Sequence, residues 1–427
     1  MAQFDLAKDL SWRSLIYQVT SPELLETLAR ASKDPLKIYI GFDPTAKSLH
    51  IGSLLQLCLL KRFQRFGHKV VVLLGGATGM VGDPSGKSTE RPMLERSAIK
   101  GNVEAIRHQV NAILGEAEVV DNSLWWEKMD VISYLRDVGK YATVNQMFAR
   151  DSVRSRIKAS DEGISYTEFS YMLLQAYDFL YLYDNFGCNL QCGASDQWGN
   201  IVQGVDLIRR CRKDANIYGM TTPLVVKADG TKFGKSESGS IWLSKDMTSP
   251  YELHQYLLRV EDSQVITYLK YFTFLEEKEI SELEKETVEN PSLREGQKRL
   301  ADEVLAIVHG IGEVKKANEA AKDLFGSKDY ASFSLDDFEA LSREVPTYEA
   351  ESSKFISSEY QIADLCLESG LTSSKGEARR LATQGGLYIN GSRVQDALVE
   401  IKADLLIHGK YLVLRSGKSK THLVKAI

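Results

Sequence analysis

The chain has 427 residues, 43% of them hydrophobic, 9% aromatic and 26% charged, and its 53 Lys+Arg against 58 Asp+Glu leave a net charge of −5. At roughly 100–200 residues per domain this suffices for about two to four domains with cores of their own, and it excludes a disordered acidic tail, a collagen-like fibre and a disulfide miniprotein. Apolar runs such as Leu57–Leu60 and Val70–Leu74 fall far short of the roughly 18–20 residues that cross a bilayer, and the amino terminus lacks the basic start and apolar stretch of a secretory signal. No membrane partner and a cytoplasmic location are therefore expected.

From residue 36 to about residue 226, short apolar runs alternate with longer amphipathic segments. Leu36–Gly41 reads as a strand, His50–Phe66 as a helix with apolar Leu54, Leu55, Leu57 and Cys58, and Lys69–Gly76 as a buried strand closed by glycine. Helical patterns follow at Glu95–Leu114, Val131–Val138, Glu168–Tyr183 and Asp196–Cys211, with a strand at Asn189–Cys192. That alternation predicts the α/β class, a parallel sheet with helices on both faces.

Residues 246–325 are helical throughout, with Pro250 and Pro291 placed as first-turn residues, and predict a separate α-helical domain. Residues 328–360 carry eight acids against three bases, with Ser-rich stretches and Pro346, and read as an acidic linker with one short helix around Leu335–Leu341. In residues 361–427 two short helices, Ile362–Glu368 and Lys375–Thr383, precede Gly386-Leu-Tyr-Ile-Asn-Gly, whose Asn390-Gly391 pair signals a hairpin. A third, small α+β domain is expected there. Its ten Lys+Arg against six acids make it +4 and leave −9 for residues 1–360. The five cysteines, Cys58, Cys188, Cys192, Cys211 and Cys366, are odd in number, and no second pair stands beside Cys188 and Cys192. Buried free thiols are expected, and no metal site.

Two segments invite a phosphate-loop reading, Gly82-Asp-Pro-Ser-Gly86-Lys87-Ser88 and Gly230-Thr-Lys-Phe-Gly234-Lys235-Ser236. Each has three residues between its glycines where the Walker loop needs four, so neither closes the ring of amides. What remains is glycine, lysine and hydroxyl, the composition of a loop that closes on phosphates. The first strand-to-helix junction, Gly41-Phe-Asp43-Pro-Thr45-Ala-Lys-Ser-Leu-His50-Ile-Gly52-Ser53, puts polar side chains at the carboxyl edge of the sheet and at a helix amino terminus. Open α/β sheets bind ligands at that edge, and the helix end favours phosphate.

This junction, joined to the downstream Lys-Phe-Gly-Lys-Ser, resembles the two signatures of the class I aminoacyl-tRNA synthetases. Tyr39-Ile-Gly-Phe-Asp-Pro-Thr, Gly82-Asp-Pro-Ser-Gly-Lys, Ser170-Tyr171-Met-Leu-Leu-Gln175-Ala-Tyr-Asp178, Ser195-Asp196-Gln197-Trp-Gly-Asn and Ala228-Asp-Gly-Thr-Lys-Phe-Gly-Lys resemble the bacterial tyrosyl-tRNA synthetases, over essentially the whole chain. The resemblance implies a Rossmann-like catalytic domain with a connective insertion at 1–226, the signature loop and an α-helical anticodon-side domain at 227–327, the acidic linker at 328–360, and a ribosomal-protein-type RNA-binding domain at 361–427. It implies a ligase that joins tyrosine to ATP as tyrosyl-adenylate, releases pyrophosphate, and passes the tyrosine to the 3′-terminal ribose of tRNA(Tyr). ATP would come as its Mg²⁺ complex, with no tightly bound cofactor, and the enzyme would be a homodimer.

A carboxylate attacking the α-phosphate needs no protein nucleophile, so positioning and charge stabilisation are the equipment expected. By the resemblance, Thr45 and His50 hydrogen-bond the polyphosphate, and Lys87, Arg91, Lys232, Lys235 and Ser236 close over pyrophosphate. Tyr171, Gln175 and Asp178, spaced i, i+4 and i+7, project from one helical face. Tyr39 and Asp178 are implied to hold the tyrosine hydroxyl, Asp83, Tyr171 and Gln175 its ammonium, while Asp43 faces the tyrosyl group. Asp196 and Gln197, opening a helix after Ser195 as a good N-cap, are implied at the adenylate ribose and the tyrosyl carboxylate, and Gly41, Gly52, Ser53 and Lys235 join His50 at ATP.

Two positions depart from the family pattern: Ser53 replaces the second His of the signature, and Ile40 stands where many relatives have Cys, which bears on nucleotide affinity. In the tail, Lys375, Arg379 and Arg380 offer cations to RNA phosphates. Three other readings stay open. A tryptophanyl-type synthetase fits the Tyr39 and Asp178 pair less well than a phenol ligase, a catalytically inactive RNA-binding relative is opposed by the intact Thr45, His50, Lys87, Lys232 and Lys235, and a P-loop hydrolase is opposed by loop length.

Overall fold

The structure is a computed structural model, and it describes residues 5–29, 35–85, 94–115, 117–150, 153–154, 157, 164–236, 239–326, 330–355, 360–417 and 420–427. The chain divides into two compact units, Met1–Ser249 with Leu257–Val308, and Pro250–Tyr256 with His309–Ile427.

In the first unit a six-stranded sheet runs in the order β1-β6-β5-β2-β3-β4, built from β1 (Gln18–Val19), β2 (Lys37–Phe42), β3 (Lys69–Leu74), β4 (Glu118–Asp121), β5 (Leu190–Ala194) and β6 (Tyr218–Thr222). β2 through β6 are parallel, and β1 lies antiparallel on β6. Every residue of β3 after Lys69 is buried, as expected of a central parallel strand covered on both faces. The chain leaves β2 through β3 to β4 on one side and returns through β5 and β6 on the other. The crevice beyond the carboxyl ends of β2 and β5 is thus the point where the strand order reverses, the place where such sheets take their ligands.

Helices α1 (Ile51–Arg65) and α2 (Arg96–Leu114) pack on β3, and α3 (Tyr166–Phe186) packs on α4 (Trp198–Cys211), which lies against β5 and β6. α3 opens with the Ser165 hydroxyl accepting from the Glu168 N–H and closes at Gly187, whose φ of 70° an L side chain rarely adopts. β4 and β6 were not legible as strands: Glu118-Val-Val-Asp is only four residues long, and Tyr218-Gly-Met-Thr-Thr lacks aliphatic alternation. Both exist because the sheet pairs them. Ser195 does not cap α4, since Ser195–Gln197 form a 3-10 turn ahead of it.

The helical part of this unit includes α5 (Asp262–Phe272), α6 (Glu277–Glu289) and α7 (Glu295–His309), and Pro291 opens a 3-10 turn rather than an α-helix. The buried guanidinium groups of Arg13 and Arg62 donate to the carbonyls of Lys270 and Thr273 at the end of α5 and both bond Asp9. This knot ties the far end of α1 to α5. Burial lowers the Arg62 pKa to about 10.

Beyond the small pair β7 (Lys235–Ser236) and β8 (Gly239–Ser240), the second unit carries a five-stranded sheet in the order β11-β10-β12-β13-β9. Its strands are β9 (Thr347–Ala350), β10 (Leu387–Ile389), β11 (Ser392–Arg393), β12 (Tyr411–Ser416) and β13 (Lys420–Ala426). Asn390 and Gly391, at φ 46° and 81°, make the expected turn between β10 and β11. Alternate residues of β12 face opposite ways. Leu412 and Leu414 pack among residues of the helices Ile362–Glu368 and Lys375–Thr383, while Tyr411 and Val413 pack with Tyr330, Phe333, Phe338 and Leu341.

The last two of these belong to α8 (Leu335–Glu344), the short helix expected in the acidic stretch. That stretch also supplies β9, parallel to β13, so part of it builds the sheet. Its few apolar residues are too widely spaced to show a period, which is why it reads as a linker. All five cysteines are unpaired. Among the described residues no helix is long and apolar enough to cross a membrane.

Candidate active site

A cavity of about 570 Å³ opens at the strand-order reversal of the first unit. β2 and its loop bring Tyr39, Gly41, Asp43 and Thr45 to it; the start of α1 brings His50, Gly52 and Ser53; the loop after β3 brings Asp83. Tyr171, Gln175 and Asp178 come from α3, Asp196 and Gln197 from the turn before α4, and Lys232 and Lys235 from the Lys-Phe-Gly-Lys segment. Lys87 and Arg91 lie outside the described residues. Ser236 ends β7, with its side chain outside them. Lys375, Arg379 and Arg380 lie in the second unit on the helix Lys375–Thr383, where Lys375 pairs with Asp364 and the two arginines are exposed.

One end of the cavity is built to hold a single buried carboxylate. Asp178, 2% exposed, accepts from Asn122 Nδ2 at 3.0 Å and from the indole N–H groups of Trp125 at 2.8 Å and Trp126 at 2.7 Å. Asn122 is itself fixed, accepting from the Ala77 N–H and donating to Thr78 Oγ1. Burial pushes the Asp178 carboxyl up to about 7 even though these three donors pull it down. Tyr39, on β2, stands 1% exposed with its hydroxyl unpartnered, and burial together with the Asp178 charge raises its pKa. A carboxylate has about four lone-pair sites. With three taken by N–H groups, the remaining one suits a hydroxyl donor.

A second cluster centres on Asp83 and Asn200. Gln197 Nε2 donates to Asp83 Oδ2 at 2.7 Å, and Asn200 Nδ2 donates to Gln175 Oε1 at 3.0 Å and lies 3.5 Å from Asp83 Oδ1. Tyr171 donates its hydroxyl to Asp43 Oδ2 at 2.9 Å, and Thr78 donates to Asp43 Oδ1 at 3.0 Å. Burial first, then the Asp43 charge, raises the Tyr171 pKa. Two carboxylates and two amide carbonyls in one wall make a surface for a cation with several N–H groups. Gly75 follows β3 because any side chain there would collide with Asp43.

The third region is cationic. His50 stands at the amino end of α1 in extended conformation, and its side chain does not cap the helix. Ile51 N–H and Leu243 N–H exchange bonds with Ile241 and Leu49 carbonyls, so the chain beyond the signature segment is stitched to the start of α1. Phe233 anchors the segment from below, its ring 4.4 Å from Tyr268 and 5.7 Å from Phe272 of α5. Lys232 and Lys235 flank this anchor. Burial and Asp83 raise the Asp196 pKa, and Lys232 opposes them.

Sequence reasoning missed Asn122, Trp125, Trp126 and Asn200. The adjacent tryptophans after Asn122 were a visible oddity, yet nothing in spacing ties them to Asp178, some fifty residues on. Asn200 closes the Ser195-Asp-Gln-Trp-Gly-Asn motif, but its hub position, 3% exposed, depends on α4 docking against α3.

The family described as tRNA synthetases class I (W and Y) matches residues 31–326, and that described as Tyrosine--tRNA ligase SYY-like C-terminal domain matches residues 337–424. The tyrosine--tRNA ligase of Bacillus caldotenax is 44% identical and that of Staphylococcus carnosus 46%, each over 99% of both chains. A C-terminally truncated mitochondrial tyrosyl-tRNA synthetase of Aspergillus nidulans superposes with a TM-score of 0.66 at 34% identity, covering 75% of this chain and 94% of that one. The chain therefore belongs to the class I tRNA synthetases for tryptophan and tyrosine, on its tyrosine--tRNA ligase branch.

Proposed function

We infer that the protein is a tyrosine--tRNA ligase that activates tyrosine with ATP and transfers it to tRNA. The observation that carries the choice of tyrosine is the Asp178 carboxylate, held by three N–H donors beside the unpartnered Tyr39 hydroxyl. A phenol O–H satisfies both. Phenylalanine leaves the remaining lone-pair site of that carboxylate and the Tyr39 hydroxyl unmatched, at about 1–3 kcal/mol, and an indole N–H sits differently on its ring. This speaks against the tryptophanyl reading.

In the reaction we propose, the substrate's ammonium lies against Asp83, Tyr171 and Gln175, with Asp43 behind Tyr171, and Gln197 steadies the carboxylate end. One carboxylate oxygen then attacks the α-phosphorus, the bond to the bridging oxygen breaks, and pyrophosphate leaves with the electron pair. Thr45 and His50, at the open end of α1, donate to the polyphosphate, and Lys232, Lys235, Ser236, Lys87 and Arg91 neutralise the leaving group. Asp196 takes the ribose, Gly41, Gly52 and Ser53 line the nucleotide's path, and Mg²⁺ enters as part of the ATP complex. A ribose hydroxyl of tRNA next attacks the adenylate carbonyl and AMP departs.

We also propose the division of labour expected from sequence: catalysis in residues 1–226, the signature loop and anticodon-side helices in 227–327, an acidic connection in 328–360, and RNA binding in 361–427 through Lys375, Arg379 and Arg380. Cytoplasmic residence and homodimerisation belong to the same reading. Support for a second copy comes from the exposed large side chains Val131, Ile132, Leu135, Val144, Phe148 and Tyr166, which burial against another surface would remove from water.

The deciding experiment is amino-acid-dependent exchange of pyrophosphate into ATP with each of the twenty amino acids. Tyrosine alone should support it; exchange with tryptophan instead would overturn the assignment, and none at all would point to an inactive RNA-binding relative.

A further inference from the structure

We propose that Gln109 is a positioning residue of the ligase reaction, holding through Leu49 and Ser48 the backbone that carries His50; the proposal rests on the ligase reading above. Gln109 lies on α2, half-buried, and does not itself line the cavity. Its amide makes two bonds to the loop between β2 and α1: Oε1 accepts from the Leu49 N–H at 3.0 Å, and Nε2 donates to Ser48 Oγ at 2.9 Å. A backbone N–H can only donate, so the bond to Leu49 decides which end of the amide faces which partner. Seven residues earlier, about two turns back on the same face of α2, the buried Asn102 donates from Nδ2 to the Pro44 carbonyl at 2.9 Å. α2 thus holds the junction at both of its ends, Pro44 and Leu49.

Ser48 is the branch point. Its buried hydroxyl donates to the Leu49 carbonyl at 2.7 Å and accepts from Gln109 Nε2 and from the Ser244 N–H at 3.0 Å, which uses its one proton and both lone pairs. Ser244 follows the second signature, and the Leu243 N–H donates to the same Leu49 carbonyl at 2.9 Å. Gln109 is therefore bonded directly to the residue before His50 and, through one serine, to the chain that leaves the Lys-Phe-Gly-Lys-Ser segment.

His50 takes its place from this backbone. It precedes the first turn of α1, and its ring lies over Gly52, where a Cβ would stand 2.9 Å from His50 Cε1. The position of the ring thus follows the chain at residues 49–52. Without Gln109 the Leu49 N–H has no acceptor and the Ser48 hydroxyl loses a donor. A buried donor left unmatched is costly, and a loop recovers that cost by shifting until it finds a partner. Such a shift moves His50 relative to the polyphosphate, and reactions that proceed by positioning tolerate small displacements of this kind poorly. The tyrosine wall is carried elsewhere, Asp83 by the loop after β3 and Tyr171, Gln175 and Asp178 by α3. Substrate binding and the chemical step are therefore separable.

The test is tyrosine-dependent pyrophosphate exchange by the full-length protein, by Gln109→Met, which keeps length and loses both bonds, and by Ser48→Ala, which leaves Gln109 its bond to Leu49 and cuts the link to Ser244. Gln109→Met should lower kcat about tenfold, as expected for two neutral hydrogen bonds that position a catalytic group, and leave the KM for tyrosine unchanged. Ser48→Ala should show the same split between kcat and KM. His50→Ala separates positioning from general packing: in that background Gln109→Met should cost less than about twofold, because the group it positions is gone. Unchanged kcat in both variants, a KM for tyrosine that rises as kcat falls, or the whole loss repeated on top of that of His50→Ala would overturn the proposal. If thermal unfolding shows that Gln109→Met does not fold, the same readings on Ser48→Ala, alone and with His50→Ala, decide. Absence of tyrosine-dependent exchange in the unsubstituted protein would instead count against the ligase reading.

Discussion

At Asp178, burial and hydrogen bonding act on one carboxyl in opposite directions, and burial wins, raising its pKa from 3.8 to about 7. Between those values the folded chain holds a proton that the unfolded chain has released, so stability falls as pH rises through this window and levels off above about 7. Roughly three pKa units correspond to about 4 kcal/mol. Denaturant unfolding of the protein and of Asp178→Asn should show the unsubstituted chain losing stability relative to the variant as pH goes from about 4 to 8. A difference that stays flat across that range would mean the carboxyl is not held as described. The same residue shows the reach of sequence reading: its place on one helical face with Tyr171 and Gln175 follows from spacing, whereas its three donors come from a segment far away in the chain.

The signature segment works as an element because both of its sides are anchored. Phe233 is held between Tyr268 and Phe272, and Ile241 pairs with the start of α1, which leaves Lys232 and Lys235 on a short span between fixed points. Gly234 is the hinge-like position, at φ 87°, and a Cβ there would stand 2.5 Å from Ile51 Cγ2. Gly234→Ala must strain its own backbone, at about 1–2 kcal/mol, and push on the residue beside His50. We expect kcat for pyrophosphate exchange to fall about tenfold or more, with the KM for tyrosine little changed. A variant with unaltered kcat would show that the segment tolerates this displacement. The glycine is visible in sequence, but its contact with Ile51 exists only when the segment lies across α1.

For the whole molecule, the second unit has a core on each face of its sheet, and the one built by Tyr330, Phe333, Phe338 and Leu341 comes from before residue 361. A chain cut after Tyr360 would keep those side chains without the Tyr411, Val413 and Leu423 they pack on. A chain cut after Val308, the last residue of the first unit, leaves them out. The longer truncation product should therefore be the more prone to aggregate, despite retaining more of the protein. The shorter should keep tyrosine-dependent pyrophosphate exchange while losing tRNA charging. Size-exclusion chromatography and the two assays separate the outcomes, and loss of exchange in a folded chain ending at Val308 would mean that catalysis needs the second unit.

The sequence by itself determined the α/β class, the strand that carries Tyr39, the helices that begin after His50 and carry Asp178, and the place of the two signature motifs, because each depends on local period, turn residues or a short ordered motif. It also located the positive charge: a net −5 divides into −9 and +4, so an acidic protein still carries a basic tail. Only the tertiary structure decided that Asn122, Trp125 and Trp126 converge on Asp178, that Asn200 joins Asp83 to Gln175, and that an acidic stretch contributes a strand and half a core. These are relations between segments distant in the chain. They arise from strand pairing and helix docking, which leave no period or spacing in the residues that take part.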